Sequence, residues 1–377
     1  MSPQLIFDYF LPAIAFAMGA CIGSFLNVVI YRIPNGMSVN EPKRSFCPSC
    51  KTQIPIHLNV PLLTWLMLRG KCKWCSSPIA FRYFLVELLT AICFLAIWKH
   101  GIEPYGLAGV ISLWVIAALL ISATFIDIDH FIIPDSITIG GTVAGLVASL
   151  VAPQLHGVDL WWRGGVEGLI GAACGFTVLW LIVLMGKMVF GKIHHKFDEP
   201  ADFEISQPGG EDAPIIIRLG EHEYEWGDVF FRKWDRLELE TLELYFDGET
   251  REFREFRVLG DALEVDGERI ELDAVKKVTG KILSAVVPRE AMGFGDVKFM
   301  AMIGAFLGWD AAVFTIFVAC VIGAVVGLTQ KLLLGEKWGR PLPFGPYLAL
   351  AAFVWIFTGP TLWFWYLGLL RSGAGLQ

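Results

Sequence analysis

Tyr105-Gly-Leu-Ala-Gly-Val-Ile-Ser-Leu-Trp-Val-Ile-Ala-Ala-Leu-Leu-Ile-Ser-Ala-Thr-Phe-Ile126 contains no charged residue, and Asp127-Ile-Asp129 follows it directly. A bilayer core of ~30 Å takes about 20 apolar residues per helix, so this run is long enough to span one. Windows at 9–31, 83–98, 136–152, 166–190, 311–334 and 343–370 roughly meet the same test. A shorter apolar stretch, Val297–Leu307, reads as a helix partly buried among its neighbours, which brings the expectation to about eight transmembrane helices. The fold class expected is an all-α polytopic membrane protein.

Composition agrees. Of 377 residues 55% are hydrophobic and only 18% charged, against about 45–50% and about 25% in soluble domains. The mean hydropathy is +0.57. These values exclude a disordered, collagen-like or disulfide-stapled secreted chain, and the acidic balance (net charge −7) argues against nucleic acid as a partner. The charge is unevenly spread. Residues 191–290 hold 14 Lys+Arg against 25 Asp+Glu, a local net of −11, so the remainder is net positive. Four segments follow: 1–100 with the first two spans and a cysteine-containing loop, 101–190 and 291–377 forming a membrane core, and the acidic insert 191–290.

Lys and Arg in short loops set orientation. Eight of them fall between Arg32 and Arg82, and Lys331, Lys337 and Arg340 follow the seventh span, whereas the other side has little beyond Lys99, Arg163 and Arg371. The expected cytosolic regions are therefore 32–82, 127–135, 191–296 and 331–342, with both termini outside. The first segment lacks a basic start and a small-residue cleavage site, and reads as an anchor. Gly19/Gly23, Gly304/Gly308 and Gly323/Gly327 are small-xxx-small pairs, read as helix packing.

In the insert, Leu237-Glu-Leu-Glu-Thr-Leu-Glu-Leu-Tyr-Phe246 alternates, and Asp247-Gly248 and Asp266-Gly267 are hairpin turns. The expectation is a small β-rich cytosolic domain of about 70 residues after a flexible opening, Asp198 to Pro214. It shows no nucleophile–base spacing. His194-His195 reads as solvated, the insert as a docking or regulatory module, and the sequence names no partner for it.

Cys47-Pro-Ser-Cys50 and Cys72-Lys-Trp-Cys75 are two C-x-x-C pairs with 21 residues between them. Each hairpin presents two thiolates, and two hairpins complete a tetrahedral shell. A reducing cytosol disfavours a disulfide. The expected occupant is a structural zinc ion, its shell closed to water.

Asp127, Asp129 and Asp135 lie between the third and fourth spans, and Gly293-Phe-Gly295-Asp296-Val-Lys298 opens the short sixth helix at the same edge. Carboxylates beside hydrocarbon are costly and mark function. Asp129 reads as solvated, and Asp135, following Pro134, as a helix cap more than as chemistry. Asp127 and Asp296 remain. Gly293 and Gly295 allow close backbone approach. Two carboxyls brought together share a proton: one form activates water, the other protonates a scissile carbonyl. No G-x-S-x-G, H-E-x-x-H or Walker loop competes. A proton-coupled transporter using intramembrane carboxylates is the alternative, disfavoured because the aspartates cluster at one face.

At these residues the chain resembles the type IV prepilin peptidases, bifunctional leader peptidases/N-methyltransferases of bacterial pilus and type II secretion systems. The likeness runs through Gly23-Ser-Phe-Leu-Asn-Val-Val-Ile-Tyr-Arg-Ile-Pro34, the cysteine pairs, Phe81-Arg-Tyr-Phe-Leu-Val-Glu87, the D-x-D-x(5)-D of Asp127 to Asp135, and Gly293-Phe-Gly-Asp-Val-Lys298. The resemblance implies a GxGD-class membrane aspartyl protease of the bacterial inner membrane with Asp127 and Asp296 catalytic. Asp129, Asp135, Gly293, Gly295, Lys298 and Glu87 would be supporting or substrate-binding residues. It further implies prepilins or pseudopilins as substrates, and methylation of the new N-terminus from S-adenosylmethionine, associated with roughly 12–100. Acidic Asp129 and Asp135 would attract the basic leader. The insert departs from the family pattern, where a short loop is usual.

Overall fold

The computed structural model describes residues 6–373 apart from 43, 48, 56–57, 208–214, 231–234, 251–252, 254, 273–276, 289–291 and 335–342. Contacts group the chain into two units, Met1–Trp180 with Gly293–Gln377, and Leu181–Met292.

The first unit is helical: α1 (Leu11–Arg32), α2 (Phe81–His130), α3 (Asp135–Val151), α4 (Trp161–Phe190, whose last turns belong to the second unit), α5 (Phe294–Leu307), α6 (Trp309–Leu334) and α7 (Gly345–Gly373). Five described helices, Ile6–Arg32, α2, Trp161–Val189, Trp309–Leu333 and Gly345–Leu369, are long and apolar enough to cross a membrane, and α3 is apolar but shorter. Val143, Leu169, Phe317 and Phe364 stand 58–71% exposed on these helices. Large apolar side chains facing outward in such numbers need a lipid solvent, and this unit is a multi-pass membrane body.

The spans expected at 83–98 and 105–126 are the two halves of α2, two helices that meet at a sharp kink. The kink falls on Gly106, at φ 63° and ψ −172°, where a residue without a Cβ is at ease. Phe94 and Trp114 are 20 residues apart, ~30 Å along a straight helix, yet their rings stack at 5.0 Å and the Trp114 indole donates to the Phe94 carbonyl. The helix therefore doubles back at Gly106 into two antiparallel halves. Helix α1 lies against the first half, because a Cβ at Gly19 or Gly23 would come within 2.7 Å of the Ala91 or Glu87 Cα. Helix α5 is almost wholly buried, as expected for so short a segment. Its Gly304 meets Gly171 of α4 backbone to backbone, where a Cβ on either would fall 2.1 Å from the other's carbonyl oxygen. Gly323 has ordinary clearance, 3.4 Å from Tyr347 to the place of a Cβ.

A short 3-10 turn, Pro153–His156, follows α3. The His156 Nε2 lies 2.8 Å from the Ser149 hydroxyl, which reaches the Ala305 carbonyl at 2.7 Å, so the ring ties the end of α3 to α5.

The second unit is one antiparallel nine-stranded sheet: β1 (Lys192–Ser206), β2 (Ile216–Leu219), β3 (His222–Glu225), β4 (Arg236–Phe246), β5 (Glu249–Thr250), β6 (Phe256–Leu259), β7 (Ala262–Val265), β8 (Glu268–Glu271) and β9 (Lys277–Pro288). The order is β3-β2-β1-β9-β4-β6-β7-β8, with β5 on β4. Both Asp-Gly pairs are hairpin turns, joining β4 to β5 and β7 to β8, with positive φ at all four residues, the I′ geometry. The flexible opening expected from Asp198 is a correction. Strand β1 runs through it to Ser206, pairs with β9 along its length, and buries Phe203 and Ile205 on alternate positions. The acidic Asp-Glu-Pro stretch that suggested a loop is instead the β-bulge, where register shifts between Lys196 and Ala201. The rest of that opening, 208–214, lies outside the described residues. His195 contacts the Tyr224 hydroxyl at 2.8 Å, and its ring lies tilted 4.3 Å from that of His222, so it is not simply solvated.

Burial pushes the His156 imidazole down to about 4. The unfolded ring, near 6.5, takes its proton first, so the native state loses stability as pH falls from 6.5 towards 4. Thermal unfolding is expected to show this acid loss in the wild type and a shallower one in His156→Gln.

Candidate active site and metal centre

Asp127 sits in the last turn of α2, not in a connecting loop as the sequence suggested. Phe131, left-handed at φ 55°, ends that helix by donating its N–H to the Asp127 carbonyl at 2.9 Å. Asp296 is the third residue of α5. Both are nearly buried, at 5% and 8% exposed. The fold gathers these distant carboxyls around Ile133, which packs against both Gly295, next to Asp296, and Gly345, whose N–H reaches Asp127.

The segment between α2 and α3 organises the pair. Ile133 lies 3.4 Å from the place of a Cβ at Gly295 and 3.0 Å from that at Gly345. Gly345, which opens α7, donates its N–H to Asp127 Oδ2 at 2.9 Å. A Cβ there would fall 2.7 Å from that oxygen, so only glycine fits. Sequence reasoning missed Gly345; the one available signal was Phe344-Gly345-Pro346 before an apolar span. At Gly293 and Gly295 an alanine would meet protein only at ordinary contact distance, 3.6 Å from Asp296 Oδ2 at Gly293. Their openness therefore leaves space beside the carboxylate. Asp296 Oδ1 is buried with no hydrogen-bond partner among the described residues. A buried oxygen in that state needs a ligand or a water.

Asp129 and Asp135 sit at the rim, each with a cation. Asp129 pairs with Arg82. Asp135 accepts from Lys298 Nζ at 2.6 Å, and Lys298 also lies over the Phe294 ring. The cap expected of Asp135 does not form, since it is the first residue of α3 and Pro134 takes the capping position. Asp129 is not merely solvated. Glu87 lies elsewhere, accepting the Leu62 N–H at 2.7 Å beside a cavity that neither aspartate lines.

The cysteine loop folds as two matching hairpins. Cys47 exchanges backbone hydrogen bonds with Lys51 and Thr52, and Cys72 does so with Ser76 and Ser77. Lys51 and Ser76, each following the second cysteine of its pair, take positive φ (58° and 57°). The hydroxyls of Ser49 and Ser77 meet at 2.8 Å between the hairpins. All four sulfurs lie within 4.8 Å of one another, Cys47 to Cys75 at 3.8 Å and Cys50 to Cys72 at 4.0 Å. An ion with metal–sulfur bonds of ~2.3 Å in a regular tetrahedron has sulfur–sulfur edges of about 3.8 Å. The cluster is built to hold such an ion.

These features set two buried carboxyls on a membrane body, apart from a four-cysteine cluster with the spacing of a metal-ligand set. Residues 17–100 match the family model described as Bacterial Peptidase A24 N-terminal domain, and residues 114–193 and 274–328 that of the Type IV leader peptidase family. The chain belongs to the type IV leader peptidase family, and the break in the second match falls on the body of the sheet. Similar proteins named prepilin leader peptidase/N-methyltransferase occur in Aeromonas hydrophila (28% identical over 94% of this chain and 93% of the relative), Neisseria gonorrhoeae (34%, 51% and 71%) and Myxococcus xanthus (41%, 48% and 52%). No solved structure matches.

Metal analysis of the purified protein is expected to give one ion per chain, lost in Cys50→Ser and in Cys75→Ser. Lys51→Gly, which relieves a left-handed side chain worth roughly 1–2 kcal/mol, is expected to keep the ion and raise the unfolding temperature.

Proposed function

We propose that this chain is a membrane aspartyl endopeptidase that removes the basic leader of type IV prepilins or pseudopilins and N-methylates the new N-terminus. It would cross the bacterial inner membrane about eight times, with the aspartates at the cytosolic face and both termini outside. The observation that carries the peptidase reading is the convergence of Asp127 and Asp296 around Ile133 and Gly345, both buried on separate helices, with Asp296 Oδ1 unpartnered among the described residues.

The hydrogen bonds divide the labour. Asp127 accepts the Gly345 N–H, which suits a carboxylate acting as base. Asp296 receives no such donor, which suits a carboxylic acid. Asp127 takes a proton from the shared water as its oxygen attacks the scissile carbonyl carbon. Asp296 gives its proton to the carbonyl oxygen. Collapse of the tetrahedral adduct breaks the carbon–nitrogen bond, and the proton held by Asp127 passes to the leaving amine. Zinc is the occupant we assign to the cysteine cluster, since four thiolates favour it. A closed shell leaves it a structural part. Transport finds no support in the comparisons.

Asp127→Asn and Asp296→Asn are each expected to lower prepilin cleavage by about 10²–10⁴-fold, and wild-type cleavage by either variant overturns the pair. The rim pairs Arg82–Asp129 and Lys298–Asp135 are exposed. Such pairs are worth about 0–1 kcal/mol, so a basic leader exchanges with them at little cost. Asp129→Asn with Asp135→Asn is expected to raise KM more than it lowers kcat, and an unchanged KM removes that role.

A further inference from the structure

The loop between α1 and α2 carries a short helix, Leu63–Met67. Trp65 packs it onto the protein. The indole N–H donates to the Ile79 carbonyl, the ring meets those of Phe81 and Phe84 at 5.6 and 5.2 Å, and a Cβ at Gly70 would fall 2.9 Å from it. Phe81 and Phe84 form the first turn of α2, one of the helices long and apolar enough to cross a membrane. The short helix is therefore pinned beside the mouth of a span. Leu66 and Met67 follow Leu63 by three and four residues, so the three share one face, and they are 54%, 79% and 57% exposed. The next turn closes through the Arg69 N–H to the Leu66 carbonyl and the Lys71 N–H to the Leu68 carbonyl. Arg69, Lys71 and Lys73 stand exposed directly after the apolar stripe, and among the described residues no carboxylate pairs with them.

We propose that this segment is a lipid-docking surface: Leu63, Leu66 and Met67 enter the headgroup boundary of the bilayer, and Arg69, Lys71 and Lys73 bind anionic phospholipid headgroups. An apolar stripe next to a basic cluster is the pattern of a helix lying in a membrane interface, and exposed apolar patches of this kind mark contact surfaces. Charge selects the occupant. Residues 33–80 hold six Lys and Arg against Glu41 alone, a net of +5, which four thiolates on a divalent ion would lower to +3. A surface of that sign attracts an anionic leaflet. It repels a second copy of itself, and it repels the basic leader of a prepilin, a comparison that alone rests on the function proposed above. Position selects the same occupant. Trp65 holds the stripe beside the first turn of a span, where the headgroup region begins. The loop is then fixed to the bilayer at two points, through the chain at Phe81 and through the stripe, which orients the cysteine hairpins between them.

The test uses the full chain in nanodiscs of equal parts phosphatidylglycerol and phosphatidylcholine, with the photoreactive p-benzoylphenylalanine introduced at Leu66 or at Met67. After irradiation, mass spectrometry is expected to find phospholipid attached at both positions, with phosphatidylglycerol favoured about threefold over phosphatidylcholine. Raising the salt concentration is expected to reduce that preference, because the headgroup contacts are exposed to screening. Arg69→Gln, Lys71→Gln and Lys73→Gln together are expected to abolish it at unchanged metal content, which reports that the cysteine hairpins still fold. Where the triple variant loses metal, Arg69→Gln alone, away from the cysteines, is expected to lower the preference. Attachment to a second copy of the chain or to an added prepilin N-terminal peptide in place of lipid, or to nothing at all, overturns the docking surface. Equal labelling of the two lipids, or a preference unchanged in a variant that keeps its metal, overturns the anionic headgroup assignment. Peptide cleavage is not the readout, so a failure of the peptidase reading leaves these outcomes distinct.

Discussion

Two carboxyl groups withdrawn from water, one at the end of α2 and one at the start of α5, impose the tightest constraint on the membrane body. Burial of a carboxylate is costly unless a donor or a second titrating group compensates it. Here the Gly345 N–H compensates Asp127, while Asp296 Oδ1 stays buried with no partner among the described residues. Helix α5 must be short to start beside the end of α2, and a short helix cannot face lipid alone. It is therefore enclosed, with the Gly171–Gly304 backbone contact setting how closely α4 approaches it. The His156–Ser149–Ala305 chain ties down its other end.

The reversal of α2 at Gly106 has a functional consequence. Doubling back returns residue 129 to residue 82, so the outer ends of its two halves meet through Arg82 and Asp129. The aspartate site and the cavity below the cysteine loop thereby share a scaffold. The cysteine hairpins shape that loop with few residues, their turns set by positive φ at Lys51 and Ser76, and a bound ion would replace the apolar core that so small a loop cannot build.

The sheet unit is organised on other principles. Alternation buries Leu237, Leu244, Phe256 and Val265 with Phe203 and Ile217, while the acidic residues of the same strands stay outside. It carries its own core and stands apart from the family match.

Much was legible without coordinates because the relevant signals are local. Apolar runs located the membrane helices to within a few residues, since lipid demands length and hydrophobicity from each segment separately. The C-x-x-C spacing announced a four-thiolate cluster, and Asp-Gly pairs between alternating strands announced type I′ hairpins, because each is a property of a few adjacent residues. The strand through Asp198-Glu-Pro200 was missed because its pairing with β9 is long-range and overrides a loop-like composition. Asp135 was read as a cap because its ion partner, Lys298, lies far away in the chain. Gly345 and the cavity beside Glu87 had no sequence signature for the same reason. Chain order alone singled out the candidate carboxyls and cysteines and the segments apolar enough to enter the bilayer. Only the packing of separate helices decided that these two carboxyls meet and that Asp127 receives the Gly345 N–H, because those are distances between segments that no local pattern encodes.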